Sequence, residues 1–65
     1  MNSNLLRGKI AEKGYTQEKL AKEVGISSNS LSRKLLGKRE FTLTEVVSIC
    51  KVLDIADPVN IFFKN

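Results

Sequence analysis

The sequence predicts an all-α protein, because apolar residues recur at helical spacing along the chain and capping residues and glycines separate the segments. Five helices are expected. A chain of 65 residues has room for one domain only, and 42% of its residues are hydrophobic, which is enough for a small core. We therefore expect residues 1–65 to form a single domain.

Composition argues against several kinds of site. The single cysteine, Cys50, excludes an internal disulfide, and one cysteine without any histidine argues against a zinc site. No apolar run approaches about 18 residues, so no membrane span is predicted. Residues 1–4 lack the features of a signal peptide, so a cytoplasmic location is expected. No metal, cofactor or small-molecule ligand is expected.

Residues 16–37 have the pattern of two short helices joined by a tight turn. Thr16 is placed to N-cap a helix over residues 17–24, and Gly25 follows where a sharp bend favours a positive φ angle. Ala21 is small enough to let two helices cross closely.

The second helix of this pair is predicted over residues 28–36, with Ser27 as its N-cap and Gly37 after its end. Its inward residues are Leu31 and Leu35. This arrangement is typical of a helix-turn-helix, whose second helix enters the major groove of DNA.

That second helix carries side chains suited to reading bases. Asn29 and Arg33 lie one turn apart on the side opposite the leucines, and Ser28 lies near the end that meets base edges in this motif. Asparagine pairs with adenine and arginine with guanine, each worth about 1–3 kcal/mol of discrimination. Ser32 flanks this face and completes the predicted base-reading set. Capping and solvation are the alternative interpretation of such a helix start.

A basic cluster lies on and after this helix. The net charge is +4, and the stretch between Glu23 and Glu40 contains no acidic residue. The basic residues in that stretch are Arg33, Lys34, Lys38 and Arg39. Such a cluster attracts a polyanion, although an ordinary solvated face is the alternative. Its position beside the predicted reading helix favours DNA.

Two further helices are predicted at the ends of the chain. The first covers residues 5–13, with Ser3 or Asn4 as its N-cap. The last covers residues 58–64, because Asp57 is a good cap and a proline follows it at the first helical position.

The fourth helix is predicted over residues 43–53. Thr42 and Glu45 form the capping-box pattern that precedes an apolar run. The stripe assigned to the core consists of Leu43, Val46, Val47, Cys50 and Leu53. Phe41, just before this helix, is interpreted as a core residue rather than a stacking platform, which weighs against single-stranded nucleic acid as the ligand.

Residues 5–63 resemble the Cro/C1-type (XRE-like) helix-turn-helix repressors. The positions that match the family spacing are Gln17, Leu20, Ala21, Val24, Gly25, Ile26 and Leu31. The segment NSLSRKLLGKREFTLTE is similar to small repressor-like proteins of phages and prophages of Gram-positive bacteria. The resemblance implies a compact five-helix, lambda-repressor-like DNA-binding domain.

The resemblance also implies roles for particular residues. In this family a glutamine at the position of Gln17 holds a DNA phosphate, and the free amides at the start of the fourth helix bind another. With the caps and the basic cluster, the predicted phosphate contacts are Thr16, Gln17, Ser27, Lys34, Lys38, Arg39, Thr42 and Leu43. The terminal region makes a twofold dimer contact in such repressors, which predicts an interface at Pro58, Val59 and Phe63.

The chain departs from the family pattern at Lys34, where lambdoid repressors usually carry an apolar residue. The apolar residue comes one position later, as Leu35. We expect the Lys34 stem to lie over the core, and the departure leaves open whether Ser32 or Arg33 points more directly into the groove.

The predicted function is a sequence-specific regulator of double-stranded DNA, most simply a repressor that binds a near-palindromic operator as a homodimer. The same features suit the DNA-binding half of a larger repressor or an antitoxin that represses its own operon. A protein-interaction module is the alternative from another class. An enzyme is not expected, because the chain has no histidine and no nucleophile–base pair at sensible spacing.

Overall fold

The computed structural model describes residues 1–63, which form five helices and the segments that connect them. The helices are α1 (Ser3–Glu12), α2 (Gln17–Val24), α3 (Ser28–Leu35), α4 (Leu43–Leu53) and a terminal π-helix (Val59–Phe63). The predicted all-α fold is confirmed, and the bounds of α2 and α4 are those expected from the sequence.

The start of α1 differs from the prediction. Asn2, rather than Ser3 or Asn4, is the N-cap, and its side-chain oxygen accepts a hydrogen bond from the Leu5 amide at 3.0 Å. The Asn2 amide donates to the Ile61 carbonyl at 2.7 Å. The position of the N-cap therefore depends on the Asn2–Ile61 bond, a long-range contact that joins the N-terminus to the terminal π-helix.

The turn between α2 and α3 forms as predicted. Gly25 has a φ angle of +87°, in the left-handed region that favours glycine. The Ala21 carbonyl accepts hydrogen bonds from the amides of both Gly25 and Ile26, each at 2.9 Å. These two bonds close the end of α2 and fix the direction in which the chain enters α3.

The core is assembled around α2, which packs against both α3 and α4. Leu20 is fully buried and Ala21 is 1% exposed. The other buried apolar residues are Leu6, Ile10, Leu31, Leu35, Val46, Ile49, Leu53 and Ile61. Partly buried side chains surround this cluster, including Phe41, whose assignment to the core is confirmed.

The predicted core stripe of α4 is partly wrong. Val46 and Leu53 are buried, but Leu43 is 73% exposed and Val47 is 46% exposed. Ile49 takes their place and is fully buried. Apolar residues lie on most sides of this helix, so spacing alone does not define its inward face. The packing of α4 against α2 places Ile49 in the core.

The last helix begins and winds differently from the prediction. It is a π-helix over Val59–Phe63, and Lys64, where the helix was predicted to end, lies outside the described residues. Asp57 accepts a hydrogen bond from the Asn60 side chain at 2.6 Å. Ile61 is buried and closes the core.

Replacing Gly25 with alanine should lower the free energy of unfolding by about 1–2 kcal/mol, because an L-residue is strained at its positive φ. No atom would clash with the new Cβ, so the loss would report backbone strain alone. Urea unfolding followed by circular dichroism measures the change.

Gly8 provides the matched control for this substitution. It lies inside α1 and also has open space around an added Cβ. Because alanine is favoured over glycine in a helix, G8A should raise the free energy of unfolding by about 0.5–1 kcal/mol. Equal effects of G8A and G25A would contradict the assignment of strain to the turn.

Candidate nucleic-acid interface

The starts of α2 and α3 lie side by side and line one shallow surface depression. The residues that line it are Thr16, Gln17, Glu18, Ser28, Asn29 and Ser32. Residues twelve positions apart in the chain, Gln17 and Asn29, are thus brought to one surface. The turn at Gly25 makes this possible because it folds α3 back against α2.

Both helices present free amides at this depression. The Thr16 hydroxyl oxygen accepts a hydrogen bond from the Lys19 amide, and that of Ser27 accepts one from the Ser30 amide, each at 3.1 Å. The first amides of each helix have no intrahelical acceptor. Each capping hydroxyl keeps its own hydrogen to donate. The combination favours an anion here, since both helix dipoles direct partial positive charge to the same place.

The four predicted base-reading residues are not equivalent in the structure. Ser28, Asn29 and Ser32 line the depression, and Ser32 is half-buried there. Arg33 is exposed but lies outside it. Ser32 therefore faces the junction of the two helices, and Arg33 faces solvent beside it. Which of the two points more directly into the groove stays a prediction.

Glu18 is a member of this surface that sequence reasoning missed. Glu18 lies in the first turn of α2, where the helix dipole favours a carboxylate. Its position in the depression places a negative charge beside the predicted phosphate contact, Gln17. The adjacency of Gln17 and Glu18 in the chain is the sequence feature that indicates this placement.

Lys34 is buried rather than presented to solvent. Only 8% of the residue is exposed, and its ammonium donates to both oxygens of the Glu45 carboxylate at 2.5 and 2.6 Å. The predicted position of its stem over the core is confirmed. For the predicted phosphate contact, the ammonium would first have to leave Glu45.

Glu45 has a second role, in the capping box of α4. Its carboxylate accepts the Thr42 amide at 2.8 Å, and its own amide donates to the Thr42 hydroxyl at 3.1 Å. Burial raises the pKa of the Glu45 carboxyl, but the hydrogen bonds from Lys34 and Thr42 and the Lys34 charge outweigh burial. The pKa of Glu45 therefore lies below its ordinary value of 4.5.

This bonding distinguishes the two predicted phosphate contacts at the start of α4. The Thr42 amide is already bonded to Glu45. The Leu43 amide is the first in the helix and has no intrahelical acceptor. Of the two backbone groups, that of Leu43 is the better placed to bind an anion.

The remaining cations of the basic cluster follow α3. The Lys38 amide donates to the Arg33 carbonyl at 2.9 Å, in the hydrogen-bond pattern that ends a helix at a left-handed glycine, here Gly37. The Lys38 side chain is exposed, and Arg39 lines a different depression, near Met1 and Phe41. The structure therefore separates Arg39 from the depression that contains Gln17 and Asn29.

Two of the three predicted dimer residues, Pro58 and Phe63, lie on a largely apolar surface that also includes part of α4. Val59 and Phe63 are exposed, as expected. Phe63 and Pro58 line one shallow depression with Leu43, Val47 and Cys50. We call these five residues the α4 patch. Burial raises the pKa of the Cys50 thiol, which favours its neutral form and is consistent with the predicted role as a small apolar residue.

Residues 1–63 contain no group of three or more cysteine, aspartate or glutamate side chains that could hold a metal ion. Among the same residues, no helix is both long and apolar enough to cross a membrane.

Comparison with known proteins gives one result for this chain. The sequence model of a helix-turn-helix family matches residues 6–58. The match begins within α1, covers α2 to α4 and ends just before the terminal π-helix. No curated protein sequence and no solved structure matches the chain significantly.

The Glu45 contacts predict an acid-dependent loss of stability. Replacing Glu45 with glutamine should lower the free energy of unfolding at neutral pH by about 1.5–3 kcal/mol, because it removes hydrogen bonds between charged groups. Since the pKa is lowered on folding, this contribution is complete above pH 4.5 and is lost as pH falls through the folded-state pKa. The wild type and E45Q should therefore converge at acid pH in urea titrations.

Glu12 provides the control for that experiment. Its carboxylate pairs with Lys9 at 3.3 Å, but both side chains are well exposed. E12Q should change the free energy of unfolding by less than about 0.5 kcal/mol at neutral pH, as expected for a surface ion pair. A similar loss in E12Q and E45Q would contradict a special contribution from Glu45.

Proposed function

Because this chain belongs to the XRE-type helix-turn-helix family and is thus a DNA-binding transcription regulator, we propose that it is a repressor that binds a near-palindromic operator as a homodimer. Occupation of a promoter by such a dimer would exclude polymerase. A phage or prophage origin stays a prediction of the resemblance over residues 29–45. Its DNA target would keep such a regulator in the cytoplasm.

One observation carries the proposal: the starts of α2 and α3 meet at one depression with their caps formed and their first amides free. A phosphate bound by Gln17 and the amides of α2 would fix the position of the DNA backbone. Asn29 would then face the adjacent base edges in the major groove. Backbone contacts of this kind set the register, and base contacts select the sequence.

Base selection is proposed for Ser28, Asn29, Ser32 and Arg33. Asn29 is exposed at the start of α3, the end that enters the groove in this motif. Arg33 lies one turn later, where the groove side and the backbone are both within reach of a long side chain. Asn29 and Arg33 have the donor and acceptor patterns that adenine and guanine require.

Further phosphate contacts are proposed for both helix caps and for the segment after α3. Thr16 and Ser27 would donate their hydroxyl hydrogens, and Lys38 and Arg39 would supply charge. Thr42 would bind a phosphate through its hydroxyl, because its amide is bonded to Glu45. Leu43 would bind one through its free backbone N–H group. The expected binding is strongly dependent on salt, since each neutralised phosphate releases counterions.

The proposed dimer forms through Pro58, Val59 and Phe63. Phe63 is 61% exposed, and it adjoins the exposed Leu43 and Val47 of α4. Apolar side chains this exposed and contiguous mark an interaction surface in soluble proteins. In helix-turn-helix dimers the two reading helices lie on half-sites about 34–36 Å apart, and the proposed dimer is expected to have the same spacing.

The same patch also favours the second candidate function, a protein-interaction module. In that case a different protein, such as the toxin partner of an autoregulating antitoxin, would cover the patch. Loss of DNA preference on substitution of Asn29, with dimerisation intact, separates the repressor from this alternative.

Selection of bound duplexes from a random double-stranded pool tests the proposal. We expect enrichment of an inverted repeat with about 10 base pairs between half-site centres. N29A should relax the preference at its base pair at a cost of about 1–3 kcal/mol, because one bidentate contact is lost. Sequencing of the retained duplexes measures both effects.

K38A is the matched control in the same selection. It should leave the enriched sequence unchanged and reduce the slope of log affinity against log salt by about 1, because it removes a phosphate contact. Binding at low salt without enrichment would leave only sequence-independent attraction and would contradict the proposed function.

The dimer surface has its own test. Phe63→Glu should weaken self-association by tenfold or more, about the effect of removing an aromatic anchor from an interface. L36E is the control, because Leu36 is 59% exposed but lies at the end of α3, outside the α4 patch. Sedimentation velocity at several concentrations measures the difference. Equal behaviour of F63E and L36E would exclude this surface as the interface.

A further inference from the structure

We propose that the Lys34–Glu45 ion pair is a positioning device for DNA binding, which locks α3 to the start of α4 and cancels the Glu45 charge at the DNA surface. The inference rests on the proposed function, since it concerns the surface that would meet the operator. It assigns Lys34 an indirect role in place of the direct phosphate contact predicted from the sequence.

The ion pair joins two elements that both belong to the proposed interface. Lys34 is on α3, one residue after Arg33, and Glu45 is in the first turn of α4, whose Leu43 amide is a proposed phosphate contact. The ammonium bonds to both carboxylate oxygens, and one of those oxygens also accepts the Thr42 amide. A shift of α3 along α4 would break both bonds from Lys34, while the Thr42 amide bond, which lies within the start of α4, holds the Glu45 carboxylate in place.

The surroundings hold this pair in one arrangement. The Lys34 and Glu45 side chains are only 10% and 13% exposed. The Lys34 ammonium also lies 5.9 Å from the centre of the Phe41 ring, and Phe41 packs edge-on against Phe62. The ammonium is therefore surrounded by Glu45, an aromatic ring and the core.

Stability alone does not account for an ion pair at this position. Taking two charges out of water costs free energy, and apolar residues of similar size often stabilise a fold equally well. The neighbouring α3 position, Leu35, is 1% exposed and apolar. A methionine at position 34 would fill the same space as the lysine stem.

The charge of Glu45 gives a functional reason for a lysine, rather than an apolar residue, at position 34. Its carboxylate accepts the Thr42 amide and therefore lies at the N-terminal end of α4, where a phosphate is proposed to bind. An unneutralised carboxylate there would repel the DNA backbone. Lys34 neutralises it from the protein side, so the capping box is kept without an exposed negative charge.

A double-mutant cycle on the full chain tests the proposal. The variants are K34M, E45Q and K34M/E45Q, and affinity is measured on the duplex enriched by the wild type. K34M should weaken binding by about tenfold or more, because it leaves the Glu45 charge uncompensated and like charges across an interface repel. K34M/E45Q should recover most of that loss, because glutamine keeps an acceptor for the Thr42 amide and removes the charge.

The salt dependence of DNA affinity distinguishes a lost phosphate contact from a loss of folding stability, because a loss of folding stability would not change it. K34M/E45Q should keep the wild-type slope of log affinity against log salt. If Lys34 itself contacts a phosphate, that slope falls by about 0.9 and the second substitution does not restore affinity. This result would overturn the proposal. If K34M does not fold, the affinity and the salt slope of K34M/E45Q are compared with those of the wild type, and these two measurements test the proposal in the same way.

Lys38 provides the matched control for the coupling. Its side chain is exposed and has no bond to Glu45 among the described residues. The effects of K38M and E45Q on affinity should therefore add, whereas those of K34M and E45Q should not. Additive effects for both pairs would overturn the proposal. Absence of any sequence-specific binding by the wild type would instead reject the proposed function itself, and the inference with it.

Discussion

The close packing around Ala21 is the constraint on which the rest of the structure depends. Its side chain is nearly fully buried, and its carbonyl accepts the two amides that end α2. A larger side chain would force α3 or α4 away from α2, because both pack against it. The small size of Ala21 thus determines how closely α3 and α4 pack against α2, and its carbonyl bonds help to determine the direction of α3. The Gly25 turn fixes the orientation of α3 on α2 and therefore determines which face of α3 is exposed.

In the proposed complex with DNA, that fixed orientation allows short polar side chains to reach the bases. Serine and asparagine reach only a few ångströms beyond the backbone, so Asn29 is useful only if α3 is held firmly at the correct depth in the groove. The bonds at Thr16 and Ser27 hold each helix start, and Lys34 holds the other end of α3. Each anchor lies outside the predicted base contact itself.

The sequence predicts well those features that local chemistry determines. The bounds of α2, the positive φ at Gly25 and the capping box at Thr42 depend on neighbouring residues, and all three are found. The inward face of α4 was less predictable because Val47 and Ile49 are both apolar, and only the packing of α2 selects between them. The Asn2 cap and the partner of Lys34 depend on contacts between distant segments, for which one sequence carries no signal.

The errors in α4 are informative about function. Leu43 and Val47 fit a core stripe by spacing, yet the structure leaves them exposed next to Phe63. Their apolar character is then unexplained by the core, and a second protein surface is the simplest account of it. Leu43 belongs both to this patch and to the helix start proposed to bind a phosphate. A second copy seated on the patch would therefore lie directly beside the DNA backbone. Dimerisation and operator binding would then depend on the same end of one helix.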